Sequence, residues 1–107
     1  MRKATAYRFK SDFNLEAIHG KVEAKTGWPW YQRVNDTYGE YLMTRIPEKD
    51  YARLRIFPQV KGHFILDAVC ESESSFDYQW SMLQNTIQHT VLLAVDASEI
   101  AEVDTFD

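Results

Sequence analysis

The sequence predicts an α+β domain of two layers, in which two helices cover one face of an antiparallel meander of about four to five strands. Three observations lead to this fold class. Residues 52–56 alternate between apolar and charged side chains, as expected of a half-buried strand. Residues 76–94 repeat apolar side chains at helical spacing. The extended segments in the middle of the chain are joined by short polar stretches, which favours antiparallel neighbours.

Composition and charge are those of one folded domain. The 107 residues include 45% hydrophobic and 14% aromatic side chains, and we assign residues 1–95 to the domain. Residues 96–107 are expected to form an acidic C-terminal tail or short helix, with five carboxylates and neither Lys nor Arg. Because the net charge is −4 and this tail carries −5, the domain itself carries only +1.

Cysteine usage and the lack of long apolar segments bear on the cellular setting. A single cysteine cannot form an internal disulfide, and the N-terminal residues lack the apolar core of a signal peptide. The sequence contains no run of about 18 apolar residues. We therefore expect a cytoplasmic protein with no membrane partner.

Five segments are predicted as strands from side chains that alternate with period two. Pro58 closes one of them because proline has no N–H to donate to a sheet. The predicted strands are residues 4–10, 30–34, 41–46, 51–57 and 63–70. Their core-facing side chains are expected to be Thr5, Tyr7, Phe9, Leu42, Ile46, Leu54, Ile56, Phe64 and Leu66.

Two segments predict helices that would pack on this apolar face. Residues 15–25 follow N-cap candidates at residues 11–14, and Gly27 suits the left-handed conformation that ends a helix. The other helix is predicted to run to about residue 95 on a stripe formed by Phe76, Trp80, Leu83, Ile87, Val91 and Ala94. Residues 91–95 also fit a last strand, and this alternative stays open.

The opposite face of the predicted sheet would collect arginine and aromatic side chains. Alternation places five of the six arginines there, and arginine both pairs with carboxylates and stacks on aromatic rings. We predict a partner-binding site comprising Arg33, Arg45, Arg53, Arg55, Tyr31, Tyr41 and Phe57, with Arg8 nearby. The partner would be an acidic protein or the acidic tail itself; single-stranded nucleic acid ranks lower because the domain carries only +1. A solvated face covered by arginine stems explains the same pattern without a partner.

The outer side of the second predicted helix is unusual because it lacks charge. No Asp, Glu, Lys or Arg occurs from Gln79 to Val95, whereas the centres of protein interfaces lose charge and gain Tyr and Met. We predict a homodimer or partner face comprising Tyr78, Met82, Asn85, His89 and Leu93. Cover by the first helix or by the tail within one molecule explains the same composition.

Catalytic and metal-binding patterns are weak in this sequence. Cys70 and His63 are the only nucleophile and base on one predicted strand, and their odd spacing of seven residues sends them to opposite faces. The three histidines lack the spacing of metal ligands. We therefore predict no catalytic residue, no metal and no cofactor.

These features together predict a small, non-catalytic protein-binding module of the inhibitor, immunity or regulatory type. Its partner would be another protein or a second copy of the chain, bound through the Arg/aromatic sheet face, the uncharged helix face, or both. Two alternatives are kept: single-stranded nucleic-acid binding on the Arg/aromatic face, and a small enzyme that uses Cys70.

Overall fold

Six strands form one antiparallel sheet in the part of the chain that the computed structural model describes, residues 2–46, 51–71 and 77–104. The strands are β1 (Arg2–Lys10), β2 (Tyr31–Asn35), β3 (Gly39–Arg45), β4 (Tyr51–Pro58), β5 (His63–Glu71) and β6 (Ser98–Val103). Their order across the sheet is β2-β3-β4-β5-β1-β6. The predicted meander is confirmed for β2 to β5, and β1 is inserted between β5 and β6.

Two helical segments complete the α+β fold. The first, α1 (Leu15–Thr26), is capped by Asn14, whose Oδ1 accepts a hydrogen bond of 2.8 Å from the N–H of Ala17. It ends at Gly27, which has φ 71° and donates its N–H to the carbonyl of Glu23 at 3.0 Å. Both helix ends therefore lie where the sequence predicted them.

The second helix is built from three consecutive pieces. It consists of α2 (Asp77–Thr86), a π-helical turn (Ile87–Val91) and a final α-helical turn, α3 (Leu92–Ala94). The prediction of a helix to about residue 95 is confirmed, and the alternative of a strand at residues 91–95 is wrong. None of the described helices is both long enough and apolar enough to cross a bilayer.

The π-helical turn changes which side chains the second helix buries. Val91 and its neighbour Leu92 are both buried, because the wider turn brings two consecutive residues to the inner side. Val95 is buried as well, whereas Ala94, predicted to be in the core, is only half-buried. The first member of the predicted stripe, Phe76, lies outside the described residues.

Both helices pack on the face of the sheet that the sequence predicted. Ile18 and Val22 of α1 join Leu83 and Ile87 of the second helix in the same core cluster. From the sheet this cluster includes Tyr7, Phe9, Leu42, Ile46, Leu54, Ile56, Phe64, Leu66, Ala68 and Cys70. The face with the arginines is therefore the one that points away from the helices.

The end of the chain departs from the prediction. Residues 98–103 form β6, paired with β1, and not a short helix or loose tail, so the sheet has six strands and not four to five. Five of the six β6 residues are exposed, so this edge strand shows no apolar alternation from which it could be predicted. Its position places Glu99 and Glu102 at the opposite edge of the sheet from Arg33 on β2.

Candidate functional site

Strand alternation places the predicted arginines on the outer face of the sheet, away from the helices. In the register of the sheet, Arg45 lies opposite Arg53, and Arg33 lies opposite Tyr41. Arg33 and Arg45 are exposed, and Arg53 and Tyr41 are half-buried. The guanidinium of Arg33 lies 5.7 Å from the centroid of the Tyr31 ring.

Arg55 forms an ion pair within the molecule. Its Nε–H donates to Oδ1 of Asp67 at 2.9 Å, and a second N–H donates to Oδ2 of the same carboxylate. The side chain of Asp67 is 1% exposed and that of Arg55 is 13% exposed. The guanidinium also lies 5.0 Å from the Phe57 ring centroid, so little of it is left to meet a partner.

Phe57 is buried, although the sequence places it among the partner-binding residues. It is 1% exposed because Tyr41 stacks on it at 4.9 Å and Tyr38 meets it edge-on at 5.3 Å. Ala6, Asp67 and Val69, whose side chains alternate to the same outer face, are buried as well. The expectation of an open Arg/aromatic surface is therefore wrong at the centre of the sheet, and the exposed arginines among the predicted site residues, Arg33 and Arg45, lie on β2 and β3.

The uncharged helix face is exposed. Met82 is 45% exposed and Leu93 is 62% exposed, and Asn85 and His89 between them are exposed as well. The alternative that α1 covers this line within the molecule is thus wrong for these four residues. The side chain of the remaining predicted member, Tyr78, is outside the described part of the structure.

A cleft of about 400 Å³ opens beside this face, where α1 packs against the π-helical turn and α3. Ala24, Leu93 and Ala94 make its apolar part. Lys21, Lys25 and His89 supply two ammonium groups and an imidazole, and no carboxylate is among the described residues that line it.

The two lysines of the cleft lie one helical turn apart on α1. The ammonium of Lys21 lies 4.2 Å from the centroid of the Phe13 ring, and Lys25 forms no ion pair with any described residue. The cleft could not be predicted from the sequence, because its second wall is formed by the second helix and depends on the rotation of that helix about its own axis. The spacing of the lysines at i and i+4 was the one available signal.

Cys70 and His63 do not come together. Cys70 is 4% exposed in the core cluster, whereas His63 lies opposite Lys10 on the other face of the sheet. The cavity beside Cys70, lined also by Trp28, Met82 and Leu83, measures about 50 Å³, which is too small for a typical substrate. Among the described residues, no three His, Cys, Asp or Glu side chains are grouped so that they could hold a metal ion.

A scan against protein-family models finds no match for this chain, and a search of curated proteins finds no similar sequence. The function is therefore inferred from the surfaces described above.

Proposed function

We propose that this protein is a non-catalytic binding module that holds an acidic, partly apolar segment of another protein against its second helix. The contact surface comprises the uncharged helix face (Met82, Asn85, His89 and Leu93, with Tyr78 from the sequence) and the adjoining cleft. The observation that carries the proposal is the charge-free run from Gln79 to Val95, whose outward apolar side chains stay exposed.

Exposed apolar side chains on an uncharged helix favour a protein partner. A solvated helix surface normally carries Lys and Glu, whereas the centre of an interface is depleted of charge. Met82 and Leu93 are separated by about 16 Å of helix, at 1.5 Å per residue, which is the length of roughly three turns of a partner helix. Burying them would remove apolar surface from water on both molecules.

The cleft determines the chemistry expected of the partner. Lys21 and Lys25 place positive charge beside the apolar side chains of Leu93 and Ala94. A segment with Asp or Glu next to apolar residues would neutralise the lysines and cover the apolar wall at the same time. A basic or uniformly polar segment would satisfy neither group.

The exposed arginines on β2 and β3 are a weaker candidate for the main site. Arg55 is engaged with Asp67, and Phe57 is covered by two tyrosines, so the surface that remains is smaller than the sequence suggested. Because residues 98–103 belong to the sheet, the acidic end counts toward the charge of the domain, and the net charge of −4 also argues against a phosphate-rich ligand. We further propose a cytoplasmic setting, on the grounds of the single cysteine.

Site-specific photo-cross-linking tests the proposal. A benzophenone amino acid replaces Leu93 in one variant and, as a control, replaces Val60, an exposed apolar residue in the β4–β5 turn. In native lysate we expect a discrete protein adduct at position 93 and none at position 60, with Asp or Glu beside apolar residues in the cross-linked peptide. A nucleic-acid adduct, or the same adducts at both positions, would overturn the proposal.

Charge reversal then tests the cleft with the purified partner. We expect Lys25→Glu to weaken its affinity by about ten-fold or more, since a buried or half-buried charge contact is lost and replaced by repulsion. The matched control is Lys61→Glu, which changes the net charge equally at an exposed lysine in the β4–β5 turn and should leave affinity unchanged.

A further inference from the structure

We propose that the free edge of β2 pairs with β2 of a second copy of this chain, antiparallel and about a two-fold axis at Gln32. In this register Tyr31 of each copy lies opposite Arg33 of the other. The surface is separate from the uncharged helix face, so the dimer would carry two copies of the site proposed above.

On its outer side, β2 pairs with no other strand among the described residues. It is the terminal strand of the sheet, and all five of its residues are exposed, with Val34 75% exposed. Among the described elements it pairs only with β3, so a row of backbone N–H and C=O groups faces water on its outer side. The exposure of all five residues leaves room for another strand along this edge.

The two edges of the sheet differ in how they are protected. The pairing of the outer strand β6 with β1 is irregular between Arg8 and Lys10 of β1, and β6 itself has a left-handed residue at Glu99 (φ 51°) and the carboxylates of Glu99 and Glu102. Bulges and charges of this kind prevent a further strand from adding. The β2 edge has regular pairing with β3 over all five residues and contains neither Lys nor Pro; its protection is its short length and the charge of Arg33.

Side-chain complementarity favours a second copy as the occupant. A two-fold axis perpendicular to the sheet places the outer faces of the two copies on the same side. Residue i of one copy then lies opposite residue j of the other, and the sum of the two residue numbers is the same for every pair along the strand. With the axis at Gln32, each Arg33 guanidinium meets a Tyr31 ring, the same cation–π pairing that Arg33 already makes within its own strand at 5.7 Å. With the axis at Arg33, the two guanidinium groups would lie directly opposite each other, which is unfavourable.

Disulfide trapping tests both the interface and its register. The one native cysteine, Cys70, is buried, so a single surface cysteine can be followed on its own. Residues directly opposite in antiparallel strands have Cα atoms about 4.5–5.5 Å apart, within the range of a disulfide. In the Gln32 register, position 32 faces itself, whereas the two copies of position 34 are displaced by roughly 13 Å along the strands.

We expect Gln32→Cys to form covalent dimers under mild oxidation at least about ten-fold faster than Val34→Cys or, on the opposite edge, Ile100→Cys. Equal rates for the three variants, faster trapping at position 34, or no dimer at position 32 would overturn the proposal.

A charge test at position 31 follows in the Gln32→Cys background. Tyr31→Lys would oppose Arg33 of the second copy and should slow trapping, whereas Tyr31→Glu would attract it and should preserve or speed trapping. Because Tyr31 is exposed in the single molecule, neither change should alter the unfolding midpoint of the reduced protein. Equal trapping rates for these two variants would contradict the register. The results of these trapping experiments leave the cross-linking test of the proposed binding site at position 93 unaffected.

Discussion

Asp67 accepts two hydrogen bonds from Arg55 on the outer face of the sheet, where the sequence led us to expect arginines open to a partner or to solvent. The pair lies on adjacent strands, with Asp67 directly opposite Arg55 in register. The pair is nearly inaccessible to water, so each charge is stabilised by the opposite charge and not by solvent. Arg55, which the sequence placed among the binding residues, therefore has a structural role.

Removing one member of this pair should destabilise the fold strongly. Arg55→Leu leaves the Asp67 carboxylate buried without its partner, and we expect a loss of about 3–5 kcal/mol in the free energy of unfolding by urea denaturation. The double variant Arg55→Leu/Asp67→Leu should recover most of this loss. Arg8→Leu, at an exposed arginine of the same face, should change stability by less than about 0.5 kcal/mol. If the double variant were as unstable as the single one, the ion-pair explanation would not hold.

Two glycines, one in the middle of α1 and one at its C-terminal end, should respond to alanine with opposite signs. Gly20 is exposed inside the helix, and Gly20→Ala should stabilise the protein by about 0.5–1 kcal/mol. Gly27 has φ 71°, and Gly27→Ala should cost about 1–2 kcal/mol. An added Cβ meets no atom within 4 Å at either site, so the difference isolates the backbone conformation. Thermal or urea denaturation measures both, and changes of equal sign would refute this interpretation.

Ser11 should act as a polar link between the end of β1 and the end of the second helix. Its hydroxyl donates to the carbonyl of Val95 at 2.7 Å and accepts from the N–H of Phe13 at 3.2 Å, and the residue is buried. Ser11→Ala leaves both groups without this partner, with an expected cost of about 1–3 kcal/mol. Ser98→Ala is the control at an exposed serine, and a similar cost there would argue against a specific link.

The thiol of Cys70 should be unreactive in the folded protein. Because it is buried in the core, labelling by Ellman's reagent requires opening of the structure. We expect labelling in native buffer to be about a hundred-fold slower or more than in denaturant. Rapid labelling of the native protein would revive the hypothesis of an enzyme that uses Cys70.

Binding of single-stranded nucleic acid can be tested by its dependence on salt. With only two exposed arginines left on β2 and β3, we expect no saturable binding of a labelled oligonucleotide at moderate salt. Saturable binding that falls steeply between about 50 and 200 mM salt would favour the nucleic-acid alternative over a protein partner.

The sequence predicted those parts of the fold that depend on local patterns. Alternation located five strands and their inward side, and the caps at Asn14 and Gly27 followed from their residue types. The strand β6 was missed because an edge strand exposed to water needs no apolar face. The pairing of Arg55 with Asp67 was missed because it depends on the register between two strands, which alternation leaves undetermined.

The candidate site was predicted in part for the same reason. The absence of charge in the second helix is a property of the sequence and could be found directly. The cleft between Lys25 and Leu93 could not be predicted. It depends on the relative position of two helices and on a π-helical turn, and no local sequence pattern indicates that turn.

Affinity capture from native lysate with two matched double variants tests the central claim most directly. Met82→Glu/Leu93→Glu places negative charge on the uncharged helix face, where it would repel an acidic segment, and Arg33→Glu/Arg45→Glu reverses the exposed arginines of β2 and β3. Capture of the protein that cross-links at position 93 should be lost with the first variant and retained with the second. Loss with the arginine variant and retention with the helix variant would contradict the assignment of the binding surface.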